Sequence, residues 1–101
     1  MRLTPEEKAA IRYAARIHFG PNAQVWLFGS RADDTKRGGD IDLYVETDLN
    51  QPADLSRREI NFKLDLDDQL GEQKIDIVVR PRTSELALPI YRIARETGLE
   101  L

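Results

Sequence analysis

The sequence predicts an α/β chain of the α+β kind, a small mixed β-sheet flanked by helices, folded as one domain over residues 1–101. Three observations carry that expectation. Residues 23–28 form a short, nearly all-apolar run bounded by turn residues, as a buried strand does. Residues 40–46 and 74–80 alternate apolar and polar side chains with the period of a strand. Between those two lies a long amphipathic stretch, so strand, helix and strand form a crossover that sets the two strands parallel.

Taken in order, Thr4-Pro5-Glu6-Glu7 starts a helix, with Thr4 as N-cap, Pro5 in the first turn and Glu7 completing a capping box. Ala10, Tyr13, Ala14 and Ile17 recur at helical spacing and are expected to face the core. Gly20-Pro21-Asn22 ends this helix near residue 18, and the lone His18 reads as structural, with no nucleophile or second ligand nearby in sequence. After the strand at 23–28, Ser30 to Asp34 predicts a short helix, Lys36 to Gly39 a loop and Asp40 to Glu46 the second strand. The longest helix runs from Asp54 to Leu70 and stops at Gly71. Its core stripe is Leu55, Phe62, Leu66 and Leu70, while Ile60 and Leu64 point nearly the opposite way. Those two side chains predict either a minor contact within the domain or a face for a partner protein. In the third strand Ile75, Ile77 and Val79 share one face and Asp76, Val78 and Arg80 the other. A last helix from Pro89 to Gly98 is expected to turn Ile90, Ile93, Ala94 and Thr97 inward.

Composition narrows the function classes. The chain has no cysteine, hence no disulfide framework and no thiolate metal site. No run is apolar enough to span a bilayer and no leader is evident, so a cytoplasmic protein without membrane contact is expected. A net charge of −3 speaks against direct, broadly electrostatic binding to nucleic acid, although a local basic patch stays open.

The chemistry concentrates between residues 24 and 45. Asp40 and Asp42 project from one face of a strand, where two carboxylates repel unless a divalent cation sits between them. Gly29 lets backbone approach a ligand closely, and Ser30 offers a hydroxyl and opens a helix whose N–H groups favour anions. A phosphate site beside a metal site points to a nucleotide. Asp76 interrupts an otherwise apolar strand. Alone it reads equally as an edge residue facing water or pairing with Arg80; beside Asp42 it supplies a third carboxylate for a two-magnesium cluster suited to phosphoryl transfer.

Competing patterns fail. Asp65 and Asp67 sit two apart on a helix and diverge by about 200° as a solvated face. A calcium loop begun at Asp33 or Asp34 would end on Tyr44 or Val45, not on a glutamate. Neither a P-loop, a Gly-x-Gly-x-x-Gly turn nor a serine-hydrolase elbow is present.

Gly29-Ser30, Asp40-Ile41-Asp42 and a later-strand Asp76 resemble the DNA polymerase beta-like nucleotidyltransferase superfamily. The wording Leu-Phe-Gly-Ser-Arg-Ala followed by Asp-Ile-Asp-Leu-Tyr-Val is similar to its smallest branch, the minimal nucleotidyltransferases. That resemblance implies a nucleotidyltransferase fold, with Gly29 and Ser30 on the β- and γ-phosphates and Arg31 near a phosphate. It further implies that Asp40 and Asp42 ligate both Mg2+ ions, with Asp76 on one of them and helping to deprotonate the acceptor hydroxyl. The reaction implied is transfer of a nucleoside monophosphate, commonly from ATP, with pyrophosphate leaving. The loop between Ser30 and Asp40 is one residue shorter than in many relatives, and Asp33-Asp34 stand where those often carry Arg-Gly. Lys36 and Arg37 offset the added negative charge.

Minimal nucleotidyltransferases are often antitoxins beside an all-helical HEPN-type ribonuclease toxin, and some silence it by adenylylating a tyrosine. The resemblance therefore implies a toxin protein as partner and acceptor. The alternative is a non-catalytic antitoxin acting by binding. A weaker third reading, transfer to a small molecule such as an aminoglycoside, lacks the added substrate domain of relatives that do so.

Overall fold

The computed structural model describes residues 3–32, 40–71 and 73–101, with Ser30 described by its backbone only. Helix α1 spans Pro5–Phe19 and begins with the expected capping box. The Glu7 N–H donates to the Thr4 hydroxyl (3.1 Å) and the Thr4 N–H donates to the Glu7 carboxylate (3.0 Å). Strand β1 (Gln24–Phe28) follows, then a single 3-10 turn at Gly29–Arg31 and strand β2 (Ile41–Thr47). Helix α2 (Pro52–Leu70) leads to β3 (Ile75–Pro81), then α3 (Pro89–Thr97) and a two-residue strand, β4 (Leu99–Glu100).

The sheet has strand order β3-β2-β1-β4. Strand β1 runs antiparallel to both β2 and β4, whereas β2 and β3 are parallel. The mixed α+β sheet and its parallel pair were legible in the sequence; β4, too short to show alternation, was not.

Two helices cover one face of the sheet and one helix covers part of the other. On the first face Val25, Leu27, Ile41, Leu43, Val45 and Ile75 pack against α1 and α2 through Ile11, Ala14, Phe19, Phe62 and Leu66. Phe19 and Phe62 meet edge to face at 5.2 Å. The second face has a smaller aromatic core, Trp26 and Tyr44 under Tyr91 and Ala94 of α3.

Two expected stripes are rotated. Tyr13 and Ile17 are exposed, and α1 buries Ile11, Ala14, Ala15 and Phe19 instead. Both sets fit a helical period, and Phe19 decides between them because it is the side chain that meets Phe62 of α2. On α3, Ile93 and Thr97 are exposed while Tyr91 and Ala94 are buried. The aromatic face beneath selects Tyr91, whose ring lies 5.9 Å from that of Tyr44. On α2 the core stripe holds for Leu55, Phe62 and Leu66, and Ile60 and Leu64 are both 61% exposed. Neither side chain packs into the core formed by the described residues.

His18 is structural, as expected. Its Nε2 lies 3.0 Å from the Asp65 carboxylate and its ring packs edge-on near Phe62. Asp65 is accordingly a tie between α1 and α2 and not only a solvated residue.

Candidate active site

Every sequence-predicted carboxylate lies at one end of the second sheet face. Alternation along β2 turns Asp42 toward the side of Tyr44 and Glu46, away from buried Ile41, Leu43 and Val45. In the parallel register Asp42 lies directly opposite Asp76 of β3. Burial pushes the Asp42 carboxyl above its ordinary value, and the charges of Asp76 and Asp40, with a hydrogen bond to Asp76, push it further. Lys74 opposes the shift only in part.

Asp76 is exposed, on a strand at the edge of the sheet. It does not pair with Arg80, whose guanidinium lies 5.0 Å over the Tyr91 ring. Asp40 precedes β2 and lies 3.6 Å from the Lys74 ammonium, with both side chains substantially exposed. The acidic cluster thus consists of a facing pair with Asp40 to one side.

Gly29 closes the site from below. Its φ of +74° is a conformation that side chains disfavour, and a Cβ there would fall on the Asp42 carboxylate. The chain needs glycine at this position for both reasons. Where a short helix from Ser30 to Asp34 was expected, the described part is a 3-10 turn, in which the Ala32 N–H donates to the Gly29 carbonyl at 3.2 Å. Arg31 donates to the Gln73 side chain at 3.1 Å, which ties the turn to the segment entering β3. Asp33, Asp34, Lys36 and Arg37 lie outside the described residues.

Among the described residues, no group of three or more His, Asp or Glu side chains stands close enough to hold an ion as they lie. The chemistry of the facing pair nonetheless fits magnesium. Its donors are carboxylate oxygens only, and a cation would offset both the burial and the repulsion that raise the Asp42 carboxyl.

A family model for polymerase beta nucleotidyltransferases matches residues 21–96, from the turn before β1 into α3. The chain belongs to that nucleotidyltransferase family. No curated protein matches it. The α+β arrangement is that of the nucleotidyltransferase fold, and the matched span contains Gly29, the 3-10 turn and every candidate carboxylate.

Further along the face of this nucleotidyltransferase domain lies a polar network that sequence reasoning missed. The Tyr44 hydroxyl donates to Glu46 at 2.7 Å, and Arg95 of α3 donates to the same carboxylate at 2.8 Å. Burial alone would raise the Glu46 carboxyl, but the bonds from Tyr44 and Arg95 and the charges of Arg95 and Arg82 hold it below its ordinary value. The Tyr44 phenol is pushed up to about 12 by burial and by its bond to Glu46. The signal was available: Asp42, Tyr44 and Glu46 continue the alternation already read at Asp40 and Asp42. No described helix is long and apolar enough to cross a membrane.

Proposed function

We propose that the chain is a magnesium-dependent nucleotidyltransferase that moves AMP from ATP onto a hydroxyl of a partner protein, a HEPN-type ribonuclease toxin that the transfer silences. The observation that carries the chemistry is Asp42 opposite Asp76 with Gly29 beneath. In this reading Gly29 and Ser30 receive the β- and γ-phosphates at the turn that follows β1. Asp40, Asp42 and Asp76 hold magnesium, which when bound supplies the positive charge that a triphosphate and facing carboxylates require. The acceptor oxygen bonds to the α-phosphorus as the bond to pyrophosphate breaks. Asp76, the exposed member of the pair, takes the hydroxyl proton.

The exposed Ile60 and Leu64 on α2 support a partner protein, and they equally support a second reading in which the chain neutralises its toxin by binding alone. One experiment separates the two. ATP labelled on the α-phosphate is incubated with magnesium in extract from the source cells, with the intact chain or with Asp40→Ala, Asp42→Ala. Label on one protein band with the intact chain alone supports transfer and identifies the acceptor. Absence of label with a partner still captured supports binding alone.

A further inference from the structure

The acidic pair is not the only recognition feature on this sheet face. A groove of about 440 Å³ opens where β3 meets the start of α3, lined by Arg80, Leu88, Pro89, Tyr91, Arg92 and Arg95 among others. That size falls within the range of roughly 300–1,000 Å³ seen for small-ligand sites. Arg80 is four residues beyond Asp76 on the same face, about 13 Å along the strand. In a chain of net charge −3, this is a local concentration of positive charge.

Its charges are only partly compensated. Arg95 is paired with Glu46 at 2.8 Å and lies 4.5 Å over the Trp26 ring. Arg80 lies over Tyr91, and its buried Nε has no hydrogen-bond partner among the described residues. Arg92 is exposed and makes no hydrogen bond or ion pair among the described residues. No acidic side chain is among the described residues that line it. Guanidinium forks match phosphate oxygens in pairs, and their planes stack on flat rings. Leu88, Pro89 and Tyr91 add an apolar wall beside them.

We propose that this groove binds a nucleoside monophosphate, at a site separate from the facing carboxylates and from the Gly29 turn. Inorganic phosphate would satisfy the arginines and leave the apolar wall wet. An acidic peptide would pair with the guanidinium groups without the flat ring that the wall and the guanidinium planes suit. A nucleoside monophosphate satisfies both halves.

The test is an amide NMR titration of the intact chain with AMP in EDTA, where magnesium-dependent binding at the carboxylates is silent. The outcome is therefore independent of whether the chain transfers nucleotides. Saturable shifts at Arg80 and across residues 88–95 are expected. Arg92→Ala, which removes no hydrogen bond or ion pair among the described residues, should weaken AMP at least about tenfold while leaving the remaining spectrum in place. Shifts confined to residues 29–32 and 42, or none at millimolar AMP, would overturn the site. Inorganic phosphate binding as tightly as AMP would overturn the nucleoside assignment. A glutamate-rich peptide binding more tightly than AMP would do the same and reassign the groove to an acidic partner segment.

Discussion

The two faces of the sheet are built from the same strands and obey different rules. The face under α1 and α2 is apolar along its length, from Val25 and Leu27 through Leu43 to Ile75, and gains its stability from burial. The opposite face is aromatic only where α3 covers it; beyond that cover it carries Asp42 and Asp76, a pair that repels. One face is arranged to be stable. The other tolerates instability at one end, where the proposed function would place a cation.

Perturbations of each face sharpen that contrast. The largest effect is expected from Asp42→Asn on transfer. Under the proposed function, losing a carboxylate that would hold magnesium removes several kcal/mol of transition-state stabilisation, so the rate should fall at least about a thousandfold while circular dichroism stays native. An unfolded variant would make Asp42 structural and erase the distinction between the faces. On the covered face, Phe62→Ala should cost about 3–5 kcal/mol in urea unfolding, because it empties the contact between α1 and α2.

The third test lies at the stable end of the site face. The folded-state Glu46 carboxyl is held below its ordinary value, so its contribution is present above the unfolded value near 4.5 and is lost as pH falls through the lowered one. Glu46→Gln should cost about 1–3 kcal/mol at pH 7, the scale of hydrogen bonds to a charged group, and flatten the acid limb of the stability profile. A limb of unchanged steepness would remove Glu46 from the network. The smallest effect has the opposite sign. The Asp42 carboxyl is raised in the fold, so its ionised form opposes folding at neutral pH and the penalty disappears as pH falls below the ordinary carboxylate value. Asp42→Asn melted in EDTA at pH 7.5 should gain less than about 1 kcal/mol, and a loss would show that the pair is not repulsive.

Much of this contrast was readable from alternation. Ile75, Ile77 and Val79 against Asp76, Val78 and Arg80 is the division of β3 that the fold displays, and Asp42 beside Asp76 follows once the crossover sets β2 and β3 parallel. Helix orientation was harder to read. In α1 two stripes shared Ala14, and only the tertiary contact of Phe19 with Phe62 selects one. In α3 the sequence offered isoleucines, but the partner surface was aromatic and took Tyr91. The Glu46 network escaped because a carboxylate in a buried strand position makes sense only when Arg95, distant in sequence, is brought to it.

The register of β3 has a consequence for how this protein can change. Strand pairing is a two-state address: a slip of one residue would turn Asp76 toward Phe62 and Leu66 and expose Ile75 and Ile77. The isoleucines that hold the core therefore also dictate where the carboxylate points. Substitutions at 75 or 77 that loosen packing will move the Asp76 carboxylate without touching it, whereas Asp76, exposed on an edge strand, should be variable with the fold intact. Mutational tolerance of the fold along this strand should alternate residue by residue, strict at the packed positions and relaxed at 76, where the proposed transfer activity is the property that would respond.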